Sequence, residues 1–183
     1  MERRACRTVM NEVFERLTAW LAPILAFTAE EAWQSRVGDI ENSVQLRSYD
    51  PIPSDWHDSA LGDRWAGIRQ VRQVVTTALE VARNDGAIGA SLQAAPVVYV
   101  DDAGAALFEC EDAAALFITS DAEISTGAAP ADACRGEGIE NVAVGFATAQ
   151  GGKCARCWKI MPEVTFEGAI CNRCNDVVND RAG

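Results

Sequence analysis

Four cysteines near the C-terminus constrain this chain more than any other feature. They form two Cys-x-x-Cys pairs, Cys154 with Cys157 and Cys171 with Cys174, separated by thirteen residues. Each pair can turn both sulfurs toward one point, and two pairs supply the tetrahedral sulfur shell that Zn²⁺ accepts at about 2.3 Å. Because a closed four-sulfur shell leaves no open coordination position, the predicted zinc ion is structural rather than catalytic.

Other cysteine chemistry fits the pattern less well. Iron suits the same tetrahedral shell, and a redox motif would use a single Cys-x-x-Cys pair at a helix start. Seven cysteines in a chain without an export signal argue against a disulfide framework. The single histidine, His57, excludes a site built on two imidazoles. Cys6, Cys110 and Cys134 have no partner spacing, so we expect them to be ordinary core or surface residues.

The residues between the two cysteine pairs predict a β-hairpin. Residues 164–166 and 169–171 flank Glu167 and Gly168, a two-residue turn with glycine where a positive φ is easiest. Such a hairpin would bring the two pairs together. The metal should then hold the last 30 or so residues folded, because so short a segment has little core of its own.

Two helices are predicted before residue 38. Apolar residues recur at the spacing of three and four that is typical of an amphipathic helix, and Pro23 should end that helix. Thr28 and Glu31 form a capping-box pattern, which predicts that a second helix starts there. The apolar stripe of the first helix comprises Val9, Val13, Leu17, Trp20, Leu21 and Ile24.

A long third helix follows a break between about Gly38 and Pro53. Asp55 or Asp58 can cap its start, and the run Asn84-Asp85-Gly86 should end it. Its predicted apolar stripe comprises Leu61, Trp65, Ile68, Val71 or Arg72, Val75, Leu79 and Ala82.

Residues 93–150 predict a small mixed α/β unit. Strands are expected at residues 96–100 and 142–148, with helical segments between them and a loop at 127–138. Most of the formal net charge of −11 lies in residues 101–150, which hold ten acidic residues and one arginine. We interpret this stretch as a solvated acidic surface, since its carboxylates would repel a polyanion.

The basic residues of the C-terminal part surround the cysteines. Lys153, Arg156, Lys159 and Arg173 are expected to be exposed, where they either contact phosphate or compensate the charge of four thiolates. Trp158 follows the second cysteine directly, and it can stack on an unpaired base or cover the apolar side of the module.

Several runs of sequence together resemble one family of enzymes. Residues 17–33 are similar to the helical anticodon-binding domain of class I aminoacyl-tRNA synthetases specific for aliphatic amino acids, and three later runs are similar to the segment that follows there. Residues 153–158 with 171–174 resemble the C-terminal zinc module of bacterial isoleucyl-tRNA synthetases. The helical motif alone also fits the valine and leucine enzymes. The runs are LTAWLAPILAFTAEEAW at 17–33, RQVR at 69–72, ALEVAR at 78–83, IGASL at 88–92, KCARCW at 153–158 and CNRC at 171–174.

The resemblance implies an α+β chain in three parts. Residues 1–92 would be part of a helical anticodon-binding bundle, residues 93–150 a small acidic α/β unit, and residues 151–183 a zinc-binding knuckle or hairpin. The zinc ligands would be Cys154, Cys157, Cys171 and Cys174. The residues in contact with tRNA would be Lys153, Arg156, Trp158, Lys159 and Arg173.

The same resemblance implies that the chain positions tRNA(Ile) for an ATP-dependent ligase. The family's catalytic domain carries a His-Ile-Gly-His signature and a Lys-Met-Ser-Lys-Ser loop, and this sequence contains neither. We therefore expect a piece of a longer enzyme that does not aminoacylate by itself, with no catalytic residue and with ATP bound only in the full-length enzyme. Its expected partners are tRNA(Ile) and the missing catalytic body.

Further expectations concern the compartment and the competing functions. No apolar run approaches the length of a membrane span and no signal peptide is evident, so we expect a cytoplasmic monomer without a membrane partner. The main alternative is a free-standing zinc-bearing module that binds protein, and another is an appendage that packs on the catalytic body. Formamidopyrimidine-type DNA glycosylases end in a related zinc finger, but they need an N-terminal proline, whereas Glu2 follows Met1 here.

Overall fold

The computed structural model describes residues 2–180, which fall into two compact units, Met1–His57 (unit 1) and Asp58–Gly183 (unit 2). Unit 1 contains two α-helices and two short 3₁₀ turns. These elements are α1 (Glu2–Leu21), α2 (Ala26–Val37) and the turns Val44–Leu46 and Ser54–Trp56.

A stacked aromatic pair joins the two helices of unit 1. The rings of Phe14 in α1 and Trp33 in α2 lie 6.1 Å apart at an interplanar angle of 7°. The indole N–H of Trp33 donates to the Asn42 carbonyl at 2.7 Å. The guanidinium of Arg36 lies over the Phe14 ring and that of Arg47 lies over the Trp33 ring. Cation–π contacts therefore extend the aromatic stack that fixes how α1 packs on α2.

The predicted capping box at Thr28 is wrong. Helix α2 begins at Ala26, and its N-cap residue, Leu25, makes no side-chain capping bond. The amide of Leu25 donates instead to the Leu21 carbonyl at 2.7 Å. The turn after Pro23 thus continues the hydrogen bonding of α1, and α2 starts without a side-chain cap.

The apolar stripe predicted for α1 does not form the core of unit 1. Val9, Val13, Leu17, Trp20 and Ile24 are each at least 44% exposed. The buried residues of this part of the chain are Thr18, Ala19 and Ala22. The helix itself is confirmed, but Phe14, which is not part of the predicted stripe, is the large apolar side chain of α1 that packs on α2.

Unit 2 is built from one long helix on a four-stranded sheet. Helix α3 (Ser59–Asn84) starts at Asp58, whose side chain accepts from the Leu61 amide, so the second of the two predicted caps is confirmed. The strands are β1 (Val97–Val100), β2 (Glu123–Ser125), β3 (Cys134–Gly136) and β4 (Ile139–Gly145), with the short helices α4 (Asp102–Ala106) and α5 (Ala113–Phe117) between β1 and β2. The sheet order is β2-β1-β4-β3, in which β1 runs parallel to β2 and antiparallel to β4, and β3 runs antiparallel to β4.

Two predictions for the sheet need correction. The strand expected at 142–148 begins and ends three residues earlier, although Thr148 still bridges to Ala94. The expected loop at 127–138 contains β3, which pairs with β4. Glycine and alanine made this segment look irregular, and the pairing with β4 overrides that preference.

The core of unit 2 lies between α3 and the sheet. Ile68, Val71, Val75, Leu79 and Ala82 of the predicted stripe are buried, which confirms Val71 rather than Arg72 as the inward residue. They pack in one cluster with residues of β1 and β4. Helix α3 therefore shares its compact unit with the sheet, whereas the sequence grouped it with the preceding helices.

The C-terminal part of unit 2 carries a second, smaller sheet. Strands β5 (Gly152–Lys153) and β6 (Ile160–Met161) pair antiparallel, and helix α6 (Asn172–Asn179) follows. The hairpin predicted at 164–166 and 169–171 is wrong, because these residues form no strand and the module's sheet pairs β5 with β6 instead. Gly168 does adopt the positive φ of a turn, at 87°. Among residues 2–180, no helix has the length and apolar character needed to cross a membrane.

Candidate metal centre and nucleic-acid interface

The first cysteine pair lies in the loop between β5 and β6. The amide of Cys154 donates to the Lys159 carbonyl at 2.9 Å, and the amide of Trp158 donates to the Cys154 carbonyl at 3.0 Å. Trp158 has a φ of 67°, in the left-handed region that non-glycine residues seldom adopt. These bonds close a tight turn around Cys154 and Cys157.

The second cysteine pair opens helix α6. Cys171 is the N-cap residue and Cys174 lies in the first turn of the helix. The amide of Cys171 donates to the Cys154 sulfur at 3.3 Å, and the amide of Ala155 donates to the Ala169 carbonyl at 2.9 Å. Backbone bonds therefore hold the two pairs against each other, and the positive end of the α6 dipole lies at the sulfurs.

The four cysteine sulfurs lie close enough to share one ion. All four lie within 4.8 Å of one another, and the sulfurs of Cys157 and Cys171 are 3.7 Å apart. A tetrahedron with metal–sulfur bonds of about 2.3 Å has sulfur–sulfur edges of about 3.8 Å. Cys154, Cys171 and Cys174 are buried and Cys157 is half-buried. This four-cysteine cluster can hold a metal ion, and its donor set fits zinc.

The electrostatics of the cluster differ from one thiol to the next. Burial opposes ionisation of Cys154, but backbone N–H groups of Cys157, Cys171 and Arg156 lower its pKa to about 6. Burial raises the pKa of Cys171 to about 12, and the sulfurs of the other three cysteines add to the increase. Neighbouring thiolates repel each other, and a bound dication would reverse that penalty.

The predicted RNA-contacting residues lie on the surface of the same module. Lys153, Arg156 and Arg173 are exposed and Lys159 is half-buried. Within residues 2–180, none of these four cations forms an ion pair. Trp158 is 61% exposed, and the buried cluster of the module forms without it. The Lys153 ammonium lies 5.5 Å from the centre of the Trp158 ring.

Phe166 is a surface residue of this module that sequence reasoning missed. It is 71% exposed, and with Trp158 and Lys153 it lines an open cleft of 890 Å³. The sequence placed Phe166 in a hairpin strand, where an aromatic side chain is ordinary. The sequence signal that could have indicated an exposed Phe166 is its position next to a glycine turn in a short basic module.

Comparison with known proteins identifies the first half of the chain. Residues 1–99 match the family model described as the anticodon-binding domain of tRNA ligase. The chain belongs to this family. The matched residues include α1, α2 and α3 and therefore extend from unit 1 into unit 2.

The anticodon-binding chain also has close relatives among isoleucine–tRNA ligases. It is 45% identical over 181 residues to the enzyme of Gluconobacter oxydans, a match that covers 97% of this chain and 18% of the relative. It is 47% identical over 176 residues to the enzyme of Ruegeria pomeroyi, covering 94% and 18%. It is 44% identical over 165 residues to the enzyme of Agrobacterium fabrum, covering 90% and 17%.

These matches confirm the resemblance to isoleucyl-tRNA synthetases. The match to the Gluconobacter enzyme covers nearly the whole chain, so the likeness includes the cysteine module as well as the helices. A free-standing protein-interaction module is not favoured. The chain spans less than a fifth of the length of these relatives.

Proposed function

We propose that this chain is the tRNA-binding part of an isoleucine–tRNA ligase and holds tRNA(Ile) for a catalytic part that lies elsewhere in the enzyme. Its membership of the anticodon-binding family is the observation that carries the proposal. ATP and isoleucine would bind in the catalytic part, since neither signature motif of that site occurs in this sequence. The proposed compartment is the cytoplasm, where the full-length enzyme would charge its tRNA.

The proposed role of the cysteine cluster is structural. Cys154, Cys157, Cys171 and Cys174 would hold one Zn²⁺ ion, which cross-links the β5–β6 loop to the start of α6. The sulfur spacing and the burial of three of the four ligands support this assignment. A closed set of four thiolates leaves no position for substrate.

The proposed tRNA contacts lie on the exposed face of the cysteine module. Lys153, Arg156, Lys159 and Arg173 would contact phosphates, because they are charged, accessible and without an acidic partner in the described chain. The Trp158 ring, with Phe166 on the same cleft, would stack on an unpaired base near the anticodon loop. Recognition would thus combine electrostatic attraction with stacking.

Titration of a labelled tRNA(Ile) transcript over a range of salt concentrations tests this proposal. The wild-type chain should bind with steep salt dependence, since each phosphate contact releases counterions. Replacing Lys153, Arg156, Lys159 and Arg173 together with alanine should weaken binding and reduce the salt slope by about one per lost contact. Arg135→Ala, in the acidic segment, is the control and should change neither quantity.

Two results would count against the proposal in different ways. A wild-type chain that does not bind tRNA(Ile) would overturn the tRNA-binding function itself. A fourfold variant with the affinity and slope of the wild type would leave tRNA binding standing and exclude the module's cations as contacts.

A further inference from the structure

One serine hydroxyl connects the cysteine module to the sheet of unit 2. The Oγ of Ser120 donates to the Leu92 carbonyl at 2.5 Å and accepts from the Ile160 amide at 2.6 Å. Ser120 is only 6% exposed. Leu92 precedes β1, whereas Ile160 belongs to β6 of the module. The hydroxyl therefore bonds both parts at once.

This connection is isolated in the described structure. Among the hydrogen bonds of residues 2–180, the bond from Ile160 to Ser120 is the one that joins residues 152–180 to residues 58–149. The apolar clusters are also separate, because the cluster around Cys154 and Val164 shares no residue with the cluster between α3 and the sheet. No cluster of buried apolar residues in the described structure spans the two parts.

The covalent link between the two parts is short. The amide of Ala149 donates to the Gln93 carbonyl at 2.8 Å, which ties the chain to the sheet unit up to that residue. Strand β5 begins at Gly152, so only Gln150 and Gly151 lie between the two anchored parts. Gly151 has a φ of 115°, which glycine adopts readily and other residues do not. A link of this kind fixes where the module is attached but not its rotation.

The residues around Ser120 hold its hydroxyl firmly. The amide of Ser120 donates to the Ala94 carbonyl at 3.2 Å. Thr119 is completely buried, and its amide donates to the Ala114 carbonyl at 2.9 Å. At the other end, Ile160 pairs with Lys153 in the small sheet and stands two residues after Trp158. The bond thus acts next to the residues proposed to contact tRNA.

We propose that Ser120 is a positioning residue that sets the orientation of the cysteine module on unit 2, so that its basic and aromatic face meets tRNA preorganised. The effect on tRNA binding rests on the proposed tRNA-binding function. The role of Ser120 in setting the orientation of the module does not depend on that function. Without the hydroxyl, the module remains folded around its metal and rotates about the Gln150–Gly151 link.

Residual dipolar couplings of the full chain, ¹⁵N-labelled and loaded with Zn²⁺, test the geometric part. A single alignment tensor should fit residues 58–149 and 152–180 together in the wild type. Ser120→Ala removes the bond, and Ser120→Cys retains similar volume with a weak donor and acceptor. Both variants should need two tensors, with unchanged amide shifts around the four cysteines. Ser91→Ala is the control, because the Ser91 hydroxyl forms no hydrogen bond within the described residues.

Either of two results would overturn the inference. One tensor that fits both parts in both Ser120 variants would show that the bond does not set the orientation. Loss of the dispersed module shifts in both variants would assign Ser120 to folding instead of positioning.

tRNA(Ile) titration separates this inference from the proposed function. Ser120→Ala should bind about tenfold more weakly, because ordering the module then becomes part of binding, and the salt slope should stay the same. If the wild type itself does not bind tRNA(Ile), the proposed function fails, and the dipolar couplings still decide the role of Ser120. Unchanged affinity in a variant whose module has reoriented would overturn the link to tRNA.

Discussion

At the scale of single residues, Glu30 fastens α2 to the 3₁₀ turn that follows it. One carboxylate oxygen accepts from the Gln34 amide at 2.7 Å, and the other accepts from the Ser43 hydroxyl at 2.7 Å and the Val44 amide at 2.9 Å. The sequence had pointed to the neighbouring Glu31 as a capping residue. The partners of Glu30 at Ser43 and Val44 lie well outside a capping box, so a local pattern could not reveal them.

These bonds predict how the stability of unit 1 depends on pH. The bond from Gln34, followed by that from Ser43, lowers the pKa of Glu30 below 4.5, although burial opposes the shift. A lowered folded-state pKa means that the carboxylate stabilises the fold above the unfolded-state pKa. That contribution is lost as the pH falls through the folded-state value.

Denaturation of the wild type and Glu30→Gln at several pH values checks this prediction. The variant should be less stable at pH 7, and the difference in unfolding free energy should shrink below about pH 4.5. Glu31→Gln is the matched control and should leave the unfolding free energy at pH 7 close to that of the wild type, because the exposed Glu31 carboxylate forms no ion pair within the described residues. A difference between wild type and Glu30→Gln that is the same at pH 7 and pH 3 would contradict the assignment.

At the scale of elements, α1 and α3 show the same apolar periodicity and opposite burial. The α3 stripe from Trp65 to Ala82 packs in one cluster with residues of β1 and β4, although Leu61 at its start is exposed. The α1 stripe is exposed within the described chain, except for the half-buried Leu21. Periodicity establishes that one side of a helix is apolar. Which elements cover that side depends on packing partners that the helix's own sequence does not specify.

A matched pair of valines in these helices makes the contrast measurable. Val75 in α3 is 1% exposed and Val13 in α1 is 54% exposed. Val75→Ala should lower the unfolding free energy of unit 2 by about 1.5–3 kcal/mol, from lost burial and the cavity left behind. Val13→Ala should change that of unit 1 by less than about 0.5 kcal/mol. Chemical denaturation of each variant measures both values, and equal losses would refute the burial difference.

At the scale of the whole molecule, the proposed metal and the larger core would stabilise different regions. The buried cluster of the module consists of Cys154, Cys171, Cys174 and Val164, with a few half-buried neighbours. So small a cluster contributes little apolar burial, and we therefore expect the fold of the module to depend on the proposed metal. The cluster between α3 and the sheet contains none of the cysteine ligands.

Removal of the metal should therefore unfold one region only. Amide hydrogen exchange before and after chelation should show loss of protection in residues 152–179, while the interior of α3 and the strands β1 and β4 keep theirs. Thiol titration should show four cysteines that become reactive only after chelation. Full protection of the module after the metal has been removed would contradict a structural role for the ion.

Much of the site could be predicted because it depends on short-range patterns. The two Cys-x-x-Cys pairs bring their sulfurs together through tight turns, and α3 follows from its cap at Asp58 and its apolar spacing. The family likeness also follows from runs of neighbouring residues. These features depend on residues within a few positions of each other, where backbone geometry leaves few alternatives.

The sequence by itself determined the two cysteine pairs whose sulfurs converge, the long helix, the first strand and the family. Only the tertiary structure decided the pairing of β3 with β4, the exposure of the α1 stripe, the place of Phe166 on the cleft and the bond from Ile160 to Ser120. That bond joins residues 40 positions apart in the chain. Contacts of this kind depend on how whole elements pack, and no local periodicity encodes that packing.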